Sequence, residues 1–253
     1  MSTATPDSPT QREPELLGQT VVVIGGSAGI GLETARRARR EGADVVLTGR
    51  NSEHLEQAAL DVDARSIAAF DVNDQESLER FFKDLPDPID HVMVTAGGPS
   101  YVPLLEMDAD QVREAVSDHV VRELEVARNA AGKMRPGGTL VFMGGTGGRK
   151  ISRDLGIVSA ATAALPPFTA TLALELAPVR VNLIAAGFVD TPLSASILGD
   201  ELDNRRDQLR ATLPIRRVVQ PEDVAALAVH IMINTALTGA TYDIDGGQQF
   251  VSA

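Results

Sequence analysis

The strongest constraint on the fold is a regular alternation of short apolar segments with longer amphipathic ones. Most of the apolar segments are rich in Val, Ile and Leu at every position, which is typical of parallel strands covered by helices on both faces. The predicted strands are Thr20–Ile24, Asp44–Thr48, Ser66–Ala69, Ile89–Thr95, Thr139–Met143, Val179–Ala185 and Thr241–Asp245. The predicted helices are Ile30–Glu41, Asp74–Leu85, Asp110–Lys133, Gly156–Glu175 and Glu222–Ile233. This order predicts an α/β fold, a doubly wound parallel sheet in a three-layer α/β/α single domain.

The overall composition narrows the class of protein. The chain has 253 residues, no cysteine and a formal net charge of -12. Disulfides and thiolate metal sites are therefore excluded, and neither nucleic acid nor an anionic membrane is an expected partner. Residues 1–15 are polar and lack the apolar core of a secretory signal, so we predict a disordered leader before a domain spanning 16–253. We predict no membrane span and expect a cytoplasmic protein.

A glycine-rich turn follows the first strand, with the spacing G-x-x-x-G-x-G. Gly25 lets the chain turn sharply, Gly29 lets the backbone approach a pyrophosphate, and Gly31 permits close packing of helix on strand. The helix that starts here directs free N–H groups at an anion. The candidate cofactor-binding residues are Gly25, Ser27, Gly29, Ile30 and Gly31. A glycine-rich turn without a ligand is the alternative.

The end of the second strand bears on which nicotinamide cofactor the chain binds. An acidic residue here would accept from a free ribose 2′-hydroxyl, but Gly49 occupies the position and Arg50 and Asn51 follow. A guanidinium matches a 2′-phosphate in charge and geometry. Arg50 therefore favours NADP over NAD, unless it is simply a solvated surface residue.

Two further strand ends supply candidate cofactor contacts. Asp71, followed by Val72, could accept from the adenine amino group or could instead cap the next helix. Ala96 and Gly97 are small enough to let a ribose or a helix pass close to the backbone.

Together these segments make the chain resemble the short-chain dehydrogenase/reductase family over nearly all of its length after residue 15. The matching segments are Gly25–Gly31, Asp71–Val72, Ala96–Gly97, Glu175–Asn182, Ala186–Leu193, Gln220–Ala225 and Thr238–Gly247. The resemblance implies a Rossmann-type domain that binds NAD(P), hydride transfer to or from a carbonyl or alcohol, and assembly as a homodimer or homotetramer. It also implies that Val189 and Thr191 lie near the nicotinamide.

The residues that carry the chemistry in that family are missing. The family uses a tyrosine as acid/base, a lysine four residues later, a serine thirteen residues before the tyrosine, and an asparagine on the preceding long helix. The strand Thr139–Met143 sets the register and places Gly145 at the serine, Val158 at the tyrosine and Thr162 at the lysine. The asparagine position falls on Ser117 or Asp118.

Three hydroxyl residues are weak candidates to replace that chemistry. Tyr101 lies on the loop after the fourth strand and would contact or protonate a substrate, or pack on the wall of the cleft. Thr146 and Ser159 adjoin the vacated serine and tyrosine positions, although both residue types are common in turns and at helix starts. Without a positioned acid, a rate factor of about 10² to 10⁴ is lost.

Other polar groups have a purely structural explanation beside the functional one. His119 adjoins Asp118, but neighbours on a helix do not face each other, so a surface histidine is favoured over a proton relay. The basic cluster Arg149, Lys150 and Arg153 would bind an anionic substrate or form a solvated loop. The polar segment Leu193–Pro214 is a substrate lid or a solvated helix pair. No His and carboxylate cluster has metal-ligand spacing.

The sequence leaves three functions open. The first is an atypical NADP-dependent oxidoreductase acting on a small carbonyl or alcohol, with a non-standard acid. The second is a non-redox scaffold that binds NADP as a sensor or accessory protein. The third is a non-redox catalyst on the same fold.

Overall fold

A parallel sheet forms the centre of the protein in the computed structural model, which describes residues 13–99, 101–149, 153 and 155–251. The strands of the described chain are β1 (Thr20–Ile24), β2 (Asp44–Gly49), β3 (Ser66–Ala69), β4 (Ile89–Val94), β5 (Met134–Gly145), β6 (Arg180–Ala186) and β7 (Thr241–Ile244). They lie in the order β3-β2-β1-β4-β5-β6-β7, and all neighbours pair in parallel. The predicted doubly wound sheet is confirmed. Its topological switch point, where ligands of such sheets bind, lies between β1 and β4.

Helices cover both faces of the sheet. They are α1 (Gly29–Arg40), α2 (Ser52–Val62), α3 (Gln75–Asp84), α4 (Ala109–Val116), α5 (Arg122–Ala131), α6 (Gly156–Glu175), α7 (Pro192–Leu198), α8 (Leu202–Thr212) and α9 (Pro221–Ile233). Alternate residues of β1 divide between the two layers. Val22 and Ile24 share a core with residues of α3, α5 and α6, whereas Val21 and Val23 pack with residues of α1, α2 and α9. The central strand β1 is therefore apolar from Val21 to Ile24 because both of its faces are buried.

The structure departs from the predicted elements in three places. Helix α2 is not among the predicted helices, although Asn51 caps it by accepting a hydrogen bond from the His54 amide at 2.9 Å. The predicted helix Asp110–Lys133 is interrupted by a π-helical turn, Ser117–Val121. Strand β5 begins five residues earlier than predicted, at Met134.

The predicted leader falls largely on residues 1–12, which lie outside the described residues. Of the helices in the described part, α6 is long and apolar enough to cross a membrane by length and composition. Here its Leu165 and Leu172 are buried in the same core as Leu183 of β6. In this fold α6 is a core helix packed on the sheet.

Candidate cofactor site and active site

The glycine turn is shaped by close contact between backbone segments. Gly25 has a φ of +88°, and a Cβ there would lie 2.8 Å from the Ala96 nitrogen. A Cβ on Gly31 would lie 2.6 Å from Thr95 Oγ1 and closer still to the Gly25 carbonyl oxygen. The Thr95 hydroxyl donates to that same carbonyl at 3.0 Å. The start of α1 is therefore held directly against the ends of β1 and β4.

The amino end of α1 carries no competing anion. Its first turn contains no acidic residue, and Ala28 at the cap position provides no side-chain hydrogen bond. Gly29 has a φ of +54°, and a Cβ there would lie 3.4 Å from the side chain of Thr191. The glycine turn thus faces the segment after β6. Ile30, the residue after Gly29, is partly buried.

The end of β2 lies against the hydroxyl of Ser27 and is followed by an exposed arginine. A Cβ on Gly49 would lie 3.1 Å from Ser27 Oγ, so the serine of the glycine turn lies directly beside this strand end. Arg50 is exposed and makes no ion pair within the residues described. By contrast, Arg65 pairs with Asp44 at 2.9 Å.

Asp71 is separate from the cap of α3. The Asp74 side chain caps that helix, with Oδ1 accepting from the Ser77 amide at 3.5 Å and Oδ2 accepting from the Ser77 hydroxyl at 2.7 Å. The helix-cap alternative for Asp71 is therefore wrong. Asp71 is exposed, its Oδ1 accepts from the Asn73 amide at 3.0 Å, and Val72 beside it is buried.

The segment after β6 is fixed by a helix cap. Thr191 Oγ1 accepts from the Ser194 amide at 3.2 Å at the start of α7. Val189 is buried and bridges to Val219. Asp190 lies between Val189 and Thr191 in sequence and forms an ion pair with Arg206 of α8. Its Oδ2 accepts from Nε at 2.9 Å and its Oδ1 accepts from Nη2 at 2.7 Å.

The segment Leu193–Pro214 contains α7 and α8 and packs over the carboxyl edge of the sheet. Leu193 lies against Gly98, where a Cβ would be 3.4 Å from its Cδ2. Arg205 of α8 is close enough to Tyr101 to oppose the rise in the pKa of its phenol. Of the two alternatives, this arrangement favours a cover over the cleft.

The positions of the family's serine, tyrosine and lysine come together but carry no ionisable group. A Cβ on Gly145 would lie 3.8 Å from Thr162 Cγ2. The Thr162 hydroxyl is buried and donates to the Val158 carbonyl at 2.7 Å. Val158 packs in an apolar cluster with Ala115 and Ile157.

The three substitute candidates differ in their surroundings. Thr146 is buried, and its hydroxyl makes no hydrogen bond to any described residue. Ser159 Oγ donates to the Gly147 carbonyl at 3.1 Å. Tyr101 is 48% exposed, and partial burial raises the pKa of its phenol, so it remains a proton donor at neutral pH.

The His119–Asp118 relay does not form. His119 Nδ1 lies 2.9 Å from the Ala115 carbonyl and must carry a proton to donate to it, and burial lowers the pKa of the ring. Asp118 instead accepts from Asn73 Nδ2 at 2.8 Å. Both candidate asparagine positions, Ser117 and Asp118, lie in the π-helical turn.

The described part of the predicted basic cluster consists of Arg149 and Arg153. Arg149 donates from Nη2 to Asp243 at 2.7 Å and from Nη1 to Gln249 at 2.8 Å, so its charge is already paired. Arg153 is exposed, and Lys150 lies outside the described residues. Over the part of the chain that the structure describes, no group of three or more His, Asp or Glu could hold a metal ion.

Two buried ionisable neighbours, Arg122 and Glu123, were not recognised from the sequence. Their side chains are 5% and 1% exposed, and burial raises the pKa of Glu123 to about 8 against its ordinary 4.5. A signal was available, because both residues precede Val126 and Ala127 on the buried stripe of α5. Charges on an apolar stripe are uncommon unless they are paired or used.

Glu123→Gln is expected to remove a pH dependence of stability. An acid with a raised pKa in the folded chain destabilises it as pH rises from about 4.5 to about 8, because the unfolded chain loses its proton first. The stability gain of the variant over wild type should grow across this window and reach on the order of 5 kcal/mol at its upper end. Melting temperatures at pH 5, 6.5 and 8 measure this, with the exposed Glu114→Gln as control. Parallel curves for wild type and Glu123→Gln would show that Glu123 is ionised in the fold.

The sheet order, the glycine turn at the switch point and the adjoining strand ends define a nucleotide-binding α/β protein. Residues 25–249 match the sequence model of the family described as enoyl-(acyl carrier protein) reductase. Short-chain dehydrogenase/reductase ATR9 of Stachybotrys chlorohalonatus is 32% identical over 252 residues, covering 92% of this chain and 98% of the relative. The chain therefore belongs to the short-chain dehydrogenase/reductase family, as predicted, and is an oxidoreductase of that type.

Solved structures agree with this assignment. The crystal structure of a small-chain dehydrogenase in complex with NADPH has a TM-score of 0.79 at 26% identity and covers 92% of this chain and 99% of its own. BdcA in complex with NADPH has a TM-score of 0.82 at 26% identity and covers 92% and 95%. Both similarities cover more than nine-tenths of this chain.

Proposed function

We propose that the protein is an NADP-dependent oxidoreductase that acts on a small carbonyl or alcohol through a non-standard active site. The observation that carries the cofactor assignment is the end of β2, where Gly49 lies against Ser27 of the glycine turn and the next residue, Arg50, is exposed and has no ion pair among the described residues. Similar solved structures contain NADPH, which supports it. A guanidinium and a hydroxyl are donors suited to a 2′-phosphate.

The remaining cofactor contacts follow from the same geometry. The glycine turn, with Gly25 and Gly31 packed too closely for side chains, would hold the pyrophosphate on the amino end of α1. Asp71 and Val72 would contact the adenine. Val189 and Thr191 would border the nicotinamide. Asn51 is engaged as a helix cap, so we assign it a positioning role beside Arg50.

Small residues adjoin the turn on the β4 side. Ala96 packs with its nitrogen facing Gly25, and Gly97 has a φ of +98°. A nucleotide could therefore pass close to the backbone at Ala96, whereas the space beside Gly97 is taken by the Arg122 guanidinium. When bound, NADPH would supply the hydride for carbonyl reduction and NADP+ would accept it in alcohol oxidation, while these residues would position the nicotinamide.

The proton must come from a group other than Val158, which is buried among apolar residues and has no proton to give. We assign this role to Tyr101, which stays protonated at neutral pH and lies within electrostatic range of Arg205 in α8. A water held by the unengaged Thr146 hydroxyl is the alternative donor. Ser159 is a weaker candidate because it already donates to a carbonyl.

Tyr101→Phe is expected to lower kcat for carbonyl reduction by about 10² or more, with NADPH affinity unchanged, because general-acid help is worth about that much. Loss of the NADPH signal is followed with a panel of small aldehydes and ketones. Tyr242 is the second of the chain's two tyrosines, and Tyr242→Phe is the matched control. Turnover by Tyr101→Phe equal to wild type would remove Tyr101 from the mechanism.

A non-redox scaffold is the second candidate function. It is favoured by the convergence of Gly145, Val158 and Thr162 without an ionisable group. Tight NADPH binding with no turnover on any carbonyl would select it. Assembly as a homodimer or homotetramer and a cytoplasmic location also stay predictions, and light scattering of the purified protein tests the first of them.

A further inference from the structure

The guanidinium of Arg122 lies at the carboxyl end of β4, beside the switch point. Arg122 is the first residue of α5, and its side chain is 5% exposed. A Cβ on Gly97 would lie 2.6 Å from Nη1 and 2.7 Å from Nη2. The guanidinium therefore fills the space that a side chain at position 97 would take, and only glycine there lets it reach the end of the strand.

This guanidinium lacks a hydrogen-bond acceptor among the residues described. Its nearest carboxylate oxygens are Asp118 Oδ1 at 3.5 Å from Nη1 and Glu123 Oε1 at 3.8 Å from Nη2, both beyond normal hydrogen-bond length. Nε is fully enclosed and unpartnered, as is Glu123 Oε2. The Asp118 oxygen is already occupied by Asn73 Nδ2 at 2.8 Å.

The neighbouring carboxyl does not neutralise the charge. Burial raises the pKa of Glu123 to about 8, so at neutral pH it is mostly protonated. Arginine stays charged in proteins and presents five N–H donors. Asp118 at 3.5 Å offsets part of the charge as an ion pair, but a buried guanidinium that donates no hydrogen bond to the described residues is still costly, which indicates that its acceptor is a ligand.

The position of Arg122 selects one half of the cofactor. Under the proposed function, the 2′-phosphate lies at the end of β2 and the pyrophosphate at the end of β1. The strand order β2-β1-β4 then carries the remaining half, the nicotinamide ribose and its base, across the end of β4. That half offers hydroxyl and carboxamide oxygens, which are acceptors for a guanidinium.

We propose that Arg122 binds the nicotinamide half of NADP, donating hydrogen bonds to a ribose or carboxamide oxygen. This inference rests on the proposed function. It places on α5 a positive charge that α6 lacks. Thr162 of α6 stands at the position of the family's lysine, but it is uncharged and its hydroxyl donates to the Val158 carbonyl. Arg50 and Arg122 would thus hold opposite ends of one cofactor.

The test compares binding of the whole cofactor with binding of its adenosine end. Isothermal titration measures Kd for NADPH and for adenosine 2′,5′-bisphosphate, which lacks the nicotinamide half. Arg122→Met is expected to weaken NADPH by about 10- to 100-fold, the range for a charge-assisted hydrogen bond, and to leave the bisphosphate unchanged. Arg122→Lys, which keeps the charge without the fork, should lose less affinity for NADPH.

Each outcome decides between explanations. If Arg122→Met does not fold by circular dichroism, the same comparison is made with Arg122→Lys, for which a selective loss of NADPH affinity is still expected. Equal affinities for NADPH in wild type and the variants, or equal losses for both ligands, would make Arg122 a structural cation and overturn the inference alone. Failure of wild type to bind either ligand would instead overturn the proposed function and the inference with it.

Discussion

Gly31→Ala is expected to abolish detectable NADPH binding and to lower the melting temperature by several degrees. A Cβ at this position would lie 2.6 Å from Thr95 Oγ1 and closer to the Gly25 carbonyl oxygen, distances that real Cβ atoms do not show. Helix α1 would have to move away from β1 and β4. Overpacking of this kind costs about 1–3 kcal/mol, which outweighs the gain of about 1 kcal/mol in helix propensity.

The loss of binding follows from the same displacement. The free N–H groups at the amino end of α1 would no longer point to the pyrophosphate position, and the Thr95 hydrogen bond to Gly25 at 3.0 Å would be strained. Thermal unfolding and the enhancement of NADPH fluorescence measure the two effects. Gly147→Ala is the control, because a Cβ there meets nothing within 4 Å. Binding by Gly31→Ala within threefold of wild type would show that this contact is not needed.

Arg50→Ala is expected to weaken the binding of NADPH by about 10- to 100-fold and the binding of NADH by less than about twofold. The guanidinium has no ion pair among the described residues, so its charge is available to a 2′-phosphate, and a hydrogen bond to a charged group is worth about 1.5–3 kcal/mol. NADH lacks that phosphate and gains nothing from Arg50. The ratio of the two Kd values, measured at one fixed ionic strength, isolates the contact.

Arg37→Ala is the matched control for Arg50→Ala. Arg37 is also exposed, lies on α1 and makes no ion pair in the described chain, so its removal changes the net charge equally without touching the end of β2. Equal weakening of NADPH and NADH by Arg50→Ala would place the 2′-phosphate elsewhere. If the two variants weakened NADPH binding equally, the change in overall charge would explain the effect of Arg50→Ala.

The fold was largely predictable because its signals are local. Strands buried on both faces are apolar throughout, and the glycine turn links the first strand to the first helix within seven residues. Helix α2 was missed although Leu55, Ala58 and Val62 form its buried stripe, because the stripe is short and charged residues surround it. The π-helical turn of Ser117–Val121 left no recognisable pattern, since a single-turn change of hydrogen bonding does not alter residue types.

The candidate site was only half predictable for a physical reason. The residues of the cofactor half are set by strand ends and by glycines with fixed spacing, so Gly25, Arg50 and Asp71 were identifiable. Arg122 was not, because its meaning depends on contact with Gly97, twenty-five positions earlier in the chain. The replacement for the missing proton donor was equally hard to predict. Spacing placed Val158 at the tyrosine position, but it could not show that Tyr101 lies near α8.

The most direct test of the whole account is a titration of the wild-type protein with NADPH and with NADH, followed by nicotinamide fluorescence. We predict saturable binding of both cofactors, with NADPH at least about tenfold tighter because of the Arg50 contact. Absence of NADPH binding, or equal affinity for the two, would contradict the central claim that this family member is built around NADP.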